Sequence, residues 1–377
     1  MKEKNKEKCP PRERLGKFGG QAVLEGIMMK AGDQCATACR KEDGSVAVVK
    51  REFVSVRKKH KLLNIPILRG VVNFVETLRL SYGTLAASAS IAGLDTEEEE
   101  GRFEKWMKKH FGVALFDVIM VIAAVLGVVL ALFLFMYLPT LCANGVFYLI
   151  GQDMPVLRAV LEGVIKMAIF ISYIALVGLM PDIRRTFEYH GAEHKTIACY
   201  EAGEELLPEL AAKHSRLHPR CGTSFMFVMI LLGIFAGMFV RLVFPSLPTF
   251  LYVLVRLLIL PLVVGIGYEF IMYAGKHTNL LTRVCSAPGL LMQKLTTCEP
   301  SVEQLEVAII AVKCAMPEEY PDFDATPYLE NANTEKAGEK TEDTAEASTE
   351  EAVEAEAPAE EAEEAEEAAT EAEEEAF

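Results

Sequence analysis

Four long apolar runs dominate the middle of the chain, over residues 113–138, 159–180, 224–244 and 251–274. About 20 helical residues are enough to cross the hydrocarbon core of a bilayer, so each run can form a transmembrane helix. The pattern predicts an α-helical polytopic membrane protein, with a four-span membrane domain over 111–275. An even number of spans places both ends of the chain on one side of the membrane.

Positive charge is unevenly distributed between the segments that connect these runs. The two short outer connections are nearly uncharged, whereas the other three segments carry many cations. Cytoplasmic segments are enriched in Lys and Arg, so this bias predicts that the N-terminus, the motif loop 181–223 and the C-terminus are cytoplasmic. The cations are Arg102, Lys105, Lys108, Lys109, Arg184, Arg185, Lys195, Lys213, Arg216, Arg220, Lys276 and Arg283.

Five charged residues lie inside the apolar runs, where charge is costly. Glu162 and Lys166 are four residues apart on one helix face, which predicts a local ion pair. Arg241 and Arg256 flank the short loop between the third and fourth runs, where we expect them to snorkel towards the interface. Glu269 lies at the cytoplasmic end of the fourth run, where every polar motif lies, and is therefore a candidate site residue.

The soluble part begins with a basic arm, 1–17, and a β-rich segment, 18–60. Alternating apolar and β-branched residues with Gly and Asp at the breaks predict a small cytoplasmic β-meander. Glu25 falls within the predicted strand AVLEGIMM, as a site residue or as an edge-strand carboxylate facing water. Gly26 follows it and admits close approach of another backbone or a ligand. Residues 61–110 contain a helix, about 66–90, that is too polar to span and is predicted to lie at the interface or on the spans.

Two short helices are predicted in the cytoplasmic segment 276–330. One starts near Pro288, and the other follows Ser301, which forms a capping-box pair with Gln304. Beyond them, residues 331–377 carry 19 Asp or Glu and 2 Lys, a local charge of −17 that leaves residues 1–330 at +2 of the overall −15. This acidic tail has few bulky apolar residues, so it is predicted to be disordered.

Several protein classes have no support in the sequence. The nine cysteines are an odd number without a CxxC pair, so they do not indicate a disulfide framework. No secretory signal, phosphate-cradling glycine loop or serine hydrolase elbow is present, and there is no basic aromatic groove for nucleic acid.

The stretch YHGAEHK, residues 189–195, carries the first candidate chemistry. On a helix, His190 and His194 are one turn apart and project from the same face, so both could bind one metal ion. Glu193 beside them could accept a proton from a bound water molecule. H-x-x-E-H is also the spacing of the inverted zincin proteases. The alternative is two interfacial histidines that hydrogen-bond across a vestibule.

The stretch HPRCGTS, residues 218–224, closes the same loop and adds His218 and Cys221 at a chelating spacing. All four side chains together would form a closed, structural zinc site, whereas three would leave a position open for catalysis. Cys221 could instead act as a nucleophile activated by a histidine. The spacing does not distinguish these arrangements.

With these motifs the chain resembles the YqhQ family of bacterial membrane proteins, described as predicted metal-dependent enzymes of unknown reaction. The resemblance covers nearly all of residues 17–312 and excludes the acidic tail. It implies a metal site, and it nominates Glu25, Arg69, Arg220 and Glu269, which lie in the shared motifs. These motifs are FGGQAVLEGIMMK, RGVVNFVETL, YHGAEHKTIACYE, HPRCGTSF, GIGYEF, and PGLLMQKLTTCEP followed by LEVAI.

The leading hypothesis is a metal-dependent enzyme of the bacterial inner membrane, hydrolytic in mechanism and acting on an unknown membrane-linked substrate. Its partners are the lipid bilayer and that substrate, its cofactor is a divalent metal ion, with zinc the best match, and its oligomeric state is open. The alternative is a non-enzymatic metal-stabilised membrane scaffold or transport component, and a thiol enzyme using Cys221 is a third. The candidate catalytic residues are Glu193, Glu25 and Arg220, and the candidate metal ligands are His190, His194, His218, Cys221 and Glu269.

Overall fold

The computed structural model describes residues 14–93, 115–151, 154–218, 221–274 and 280–329. The acidic tail 331–377 and most of the basic arm 1–17 lie outside these ranges, as does Arg220. The predictions made for them are therefore not tested by the structure.

A four-stranded antiparallel sheet forms the N-terminal part, as predicted. Its strands are β1 (Phe18–Val23), β2 (Gly26–Ala31), β3 (Gln34–Arg40) and β4 (Val46–Glu52), and their order in the sheet follows the sequence.

One detail of the sheet prediction was wrong, because AVLEGIMM is not a single strand. Val23 pairs with Gly26, so Leu24 and Glu25 form the two-residue turn between β1 and β2. Glu25, the second residue of this turn, has φ +50°, a left-handed value that non-glycine residues adopt mainly in tight turns. Gly26 admits the close approach of another backbone, as expected: a Cβ there would collide with the Ala38 carbonyl of β3.

Eleven helical segments accompany the sheet within the described residues. They are α1 (Val56–Lys59), α2 (Leu68–Ile91), α3 (Leu115–Leu132), α4 (Leu138–Ile150), α5 (Pro155–Val177), α6 (Pro181–Glu201), α7 (Pro208–Ala211), α8 (Gly222–Val243), α9 (Thr249–Ala274), α10 (Leu280–Thr296) and α11 (Val302–Ala315). A π-helical segment, Phe133–Tyr137, joins α3 to α4. Short 3₁₀ segments lie at Lys61–Asn64 and Thr326–Tyr328.

Four helices of the described chain are long and apolar enough to cross a membrane: Val125–Ile150, Pro155–Val177, Met226–Val243 and Thr249–Tyr273. The number agrees with the prediction, and the first of these helices overlaps the predicted run 113–138 from Val125 to Leu138. The chain stays helical beyond the apolar run, as far as Ile150. Pro139 comes just after the π-helical segment, where the hydrogen-bond pattern already departs from that of an α-helix.

The charges inside the spans pair differently from the prediction. Glu162 of α5 forms its ion pair with Arg256 of α9 and not with Lys166. Arg241 and Arg256 do not snorkel outwards, because their exposed fractions are only 3% and 7%. The reason lies on α8, where Gly237 leaves room for the Tyr252 and Arg256 side chains, and a Cβ there would lie 2.9 Å from the Tyr252 hydroxyl.

Both faces of the sheet are covered. Ile27, Met29 and Val48 pack into the main core with residues of α6 and α11, whereas Val23 and Cys39 belong to a smaller core with Ile91 of α2. α2 also packs against α9, which connects the sheet to a candidate span. The helix predicted at about 66–90 is therefore confirmed.

The C-terminal helices were predicted in part correctly. The Ser301–Gln304 capping box opens α11 as expected. Pro288, however, lies inside α10, which begins eight residues earlier at Leu280. Proline removes only one amide hydrogen bond and can be accommodated within a packed helix, so it marked no helix start here.

Candidate metal centre

Helix α6 carries the YHGAEHK motif and is buried over its second half. It packs against β1 and α11, and Glu193, His194, Lys195 and Thr196 are all buried. Gly191 permits this packing, because a Cβ there would collide with the Cys298 carbonyl, just after α10. The motif is therefore held in the protein interior and is not a solvent-facing polar turn.

The two histidines of α6 are oriented by backbone carbonyl groups. Nδ1 of His190 donates to the Thr296 carbonyl at 2.8 Å, and Nδ1 of His194 donates to the Arg216 carbonyl at 2.6 Å. With the proton on Nδ1, each Nε2 has a free lone pair. This arrangement is typical of metal-binding histidines, whose second nitrogen is usually hydrogen-bonded to a carbonyl or carboxylate group.

Cys221 completes a compact cluster with these histidines. Its Sγ lies 3.2 Å from Nε2 of His190, and the ligand atoms of His190, His194 and Cys221 all lie within 4.8 Å of one another. Nε2 of His194 is buried and has no hydrogen-bond partner among the described residues. A buried nitrogen without a partner is costly unless it binds something, so the cluster fits a metal ion that takes two imidazoles and a thiolate.

Burial also keeps these imidazoles neutral. It lowers the pKa of His194 to about 3, aided by the nearby His190, and it lowers the pKa of His190. Neutral imidazole is the form that binds metals.

His218 lies beside the cluster but has another partner. Its ring centroid is 5.7 Å from that of His194, and its Nε2 is 3.3 Å from Glu201 Oε2. The Gln293 side chain hydrogen-bonds both the amide and the carbonyl of His218, which fixes the backbone there. Of the two alternatives for a third ligand, the geometry favours Cys221.

Glu193 is buried next to the cluster and contacts β1. Burial raises the pKa of Glu193 to about 8. The Gly20 amide donates to the carboxylate and has the smaller, opposite effect of lowering the pKa. Glu193 lines a cavity of about 770 Å³ together with His194 and Cys221. The lining of the cavity also includes Asn73 of α2 and Tyr268 of α9.

The remaining predicted site residues that the structure describes are engaged elsewhere. Glu25 accepts two hydrogen bonds of 2.5 Å from Arg185, and Glu269 accepts two from Arg69, at 2.6 and 2.5 Å. Glu25 and Glu269 are not part of the three-residue cluster. Arg220 lies outside the described residues.

Sequence reasoning missed the groups that support the cluster. The Thr296 and Arg216 carbonyls and the Gly20 amide belong to the backbone, which no pattern of side chains identifies. Gln293 was available as a signal, because it lies in the shared motif PGLLMQKLTTCEP.

The fold and this geometry define a class: a membrane protein with four candidate spans and a partly buried His/His/Cys cluster whose side chains could hold a metal ion. The chain belongs to the family described as "Protein of unknown function (DUF1385)", whose model matches residues 65–318. It is similar to the "Uncharacterized protein YqhQ" of Bacillus subtilis (strain 168), with 35% identity over 311 residues, which cover 81% of this chain and 92% of the relative. No solved structure matches the chain.

Proposed function

We propose that the protein is a metal-dependent membrane enzyme, hydrolytic in mechanism. His190, His194 and Cys221 would hold a divalent ion, and zinc best matches this set of nitrogen and sulfur ligands. The observation that carries the proposal is the buried, unpartnered Nε2 of His194, which lies with His190 Nε2 and Cys221 Sγ in a group narrower than 4.8 Å.

Three protein ligands favour a catalytic over a structural site. A closed four-ligand shell would need His218, whose Nε2 hydrogen-bonds Glu201 at 3.3 Å. A divalent ion with an open position would act as a Lewis acid that polarises a carbonyl or phosphoryl oxygen of the substrate.

Glu193 is the residue best placed for proton transfer. The Gly20 amide fixes its carboxylate, and it faces the same cavity as His194 and Cys221. In that position, with the positive charge of a bound ion favouring its ionised form, it would accept the proton of an attacking water molecule and deliver it to the leaving group. His190 and His194 would remain oriented throughout by the Thr296 and Arg216 carbonyls.

The substrate would be linked to the membrane, on the cytoplasmic side of the bacterial inner membrane. The cavity is lined by Tyr268 and Met272, and α9, which carries both, is one of the four candidate spans. A substrate that enters this cavity would therefore approach along the lipid surface. The excess of Lys and Arg in the predicted cytoplasmic segments supports the orientation.

Metal content of the purified full-length protein tests whether the cluster binds a metal ion. We expect about one zinc per chain in the wild type and in Glu193→Gln, and loss of at least nine-tenths of it in His194→Ala. His60→Ala is the matched control, because His60 is exposed and belongs to no group of possible metal ligands among the described residues, so the metal content should stay unchanged. A wild type without stoichiometric metal would rule the proposal out.

Comparison of cells that produce either the wild type or Glu193→Gln tests whether the site is hydrolytic. Hydrolysis predicts that an uncleaved membrane-associated compound accumulates only with the variant, which still binds metal. If Glu193→Gln fully corrects the defect of a deletion strain, the site is not hydrolytic. A metal-stabilised scaffold or transport component then becomes the better explanation.

One contact favours a second function, a thiol enzyme. His190 Nε2 lies 3.2 Å from Cys221 Sγ, and its Nδ1 is held by the Thr296 carbonyl, so the pair has the geometry of a nucleophile and its base. This function predicts activity in a metal-free preparation and trapping of Cys221 by iodoacetamide at neutral pH. The unpartnered His194 nitrogen has no role in it, which makes it the weaker candidate.

A further inference from the structure

A second polar cluster lies inside the bundle of candidate spans, at the other end of α8 from Cys221. It contains Glu162 and Lys166 of α5, Arg241 of α8, and Tyr252 and Arg256 of α9, all less than one-tenth exposed. Nineteen residues separate Arg241 from Gly222, the first residue of α8. At the rise of an α-helix this places the second cluster about 28 Å along the bundle from the histidine site.

Within this cluster, Glu162 and Arg256 satisfy each other. Nη1 of Arg256 donates to the Glu162 carboxylate, and Nη2 donates to the Gly233 carbonyl at 3.2 Å. The Tyr252 hydroxyl lies 3.3 Å from the other Glu162 oxygen. Side chains of α9 therefore occupy the single carboxylate of the cluster. Glu162 and Arg256 form a structural ion pair between α5 and α9.

Arg241 is not satisfied in the same way. Its guanidinium stacks over the Tyr252 ring at 3.9 Å, and Nη1 makes a long hydrogen bond of 3.4 Å to the Leu247 carbonyl. Nε and Nη2 of Arg241 are buried and have no partner among the described residues. Arginine stays protonated in proteins. The free-energy cost of burying these unpaired donors therefore cannot be removed by deprotonation.

The charges of this cluster do not balance. Lys166, Arg241 and Arg256 are cationic and Glu162 is the one anion, so the fully ionised cluster has a net charge of +2. Lys166 lies within electrostatic range of both Glu162 and Arg256. A purely structural cluster at this depth would be expected to pair its charges, since unpaired charge in a membrane is costly and usually marks a binding site or pathway.

We propose that this cluster binds an anionic phosphate group between α8 and α9, with Nε and Nη2 of Arg241 as the principal donors. These two donors form a planar fork that matches two phosphate oxygens, and Arg is favoured for such bidentate contacts. Arg241 lies two residues before the end of α8, next to the 244–248 turn, so the bound phosphate would lie at headgroup depth. A lipid headgroup and free phosphate share this chemistry. The site is independent of the function proposed for the histidine cluster.

Thermal unfolding of the full-length protein in dodecyl maltoside, a detergent without phosphate, tests this proposal. The additions are phosphatidylglycerol, diacylglycerol with the same acyl chains, and inorganic phosphate with chloride at equal ionic strength. We expect phosphatidylglycerol to raise the melting temperature by several degrees and diacylglycerol to leave it unchanged. In Arg241→Gln the apparent affinity should fall about tenfold or more, since hydrogen bonds to charged groups are lost.

Arg184→Gln is the matched control, because Arg184 is an exposed arginine that pairs with Glu188 at 3.8 Å and lies outside the cluster. It should respond to phosphatidylglycerol like the wild type. Arg241→Lys serves if Arg241→Gln does not fold, since it keeps the charge but loses the planar fork.

Each outcome decides the question. A response to phosphatidylglycerol alone identifies a lipid headgroup as the source, and an equal response to inorganic phosphate above chloride identifies a free anion. A wild type that responds to neither, or an Arg241→Gln variant that responds like the wild type, overturns the proposal. His194→Ala should lose metal and keep the phosphate response, so this result separates the two sites.

Discussion

Two adjacent glycines of β1, Gly19 and Gly20, show how closely the sheet approaches the candidate catalytic carboxylate. A Cβ on Gly20 would lie 2.7 Å from Met29 Sδ, 2.9 Å from the Met28 carbonyl and 3.0 Å from Glu193 Cδ. A Cβ on Gly19 would meet nothing within 4 Å. The absent side chain at Gly20 is thus a requirement for the position of Glu193.

We therefore predict that Gly20→Ala lowers the stability by about 1–3 kcal/mol, as overpacked sites do, and reduces turnover by displacing Glu193. Gly19→Ala is the neighbouring control. It should change the free energy of unfolding by no more than about 0.5 kcal/mol and leave turnover unchanged. Denaturant unfolding, and accumulation of the uncleaved compound in cells, would be measured on both variants. Equal behaviour of the two variants would contradict the contact between Gly20 and Glu193.

At the scale of single residues, spacing predicts the candidate members of the cluster, but it does not decide whether Cys221 or His218 is the third one. His190 and His194 follow from one helical turn, and Cys221 follows from its place at the end of the same loop. The choice between Cys221 and His218 depended on Glu201, seventeen residues earlier, which hydrogen-bonds the His218 ring. A contact of that kind is set by tertiary packing and has no local signal.

Among the elements, β1 is attached to α6 and to the C-terminal segment through Glu319. The Lys17 ammonium and then the Tyr200 hydroxyl hold the pKa of Glu319 below its ordinary value of 4.5. The Tyr200 hydroxyl donates to the Glu319 carboxylate at 2.6 Å. This small network joins the start of the sheet to the helix that carries the histidines.

The lowered pKa of Glu319 gives a pH dependence with a definite sign. A carboxyl group with a lowered pKa in the folded state stabilises that state above its unfolded pKa, and the contribution is lost as the pH falls through the folded value. We expect the protection factors of the backbone amides of residues 18–20, which are exchange rates corrected for the intrinsic rate at each pH, to fall as the pH drops below about 4.5. In Glu319→Gln this loss of protection at low pH should be absent. A loss of unchanged size in that variant would assign the effect to another titrating group.

The elements themselves were predicted well where periodicity was strong and less well where Pro or Gly interrupted it. The meander, α2 and the capped α11 follow from alternation, an apolar stripe and the Ser301–Gln304 pair. The errors fall at Glu25 and Pro288: the first lies in a tight turn and not in a strand, and the second lies inside a helix and not at its start. Packing decided each of these cases against the local preference.

For the whole molecule, the orientation in the membrane is the prediction that determines where the site operates. Alkaline phosphatase fused after Leu329 should be inactive and a green fluorescent protein fused there should be fluorescent, because the positive-inside bias places this end in the cytoplasm. Alkaline phosphatase inserted into the Phe244–Pro248 turn should be active. The reverse pattern at both positions would place the histidine cluster outside the cytoplasm.

The side chains of the histidine cluster are attached to different candidate spans. α6 begins at Pro181, only four residues after α5 ends at Val177, and Cys221 immediately precedes α8. A vertical shift of α5 against α8 would therefore change the separation between the imidazoles and the thiol. The thickness of the surrounding bilayer, which affects how such helices tilt, would thereby change the spacing of these three side chains.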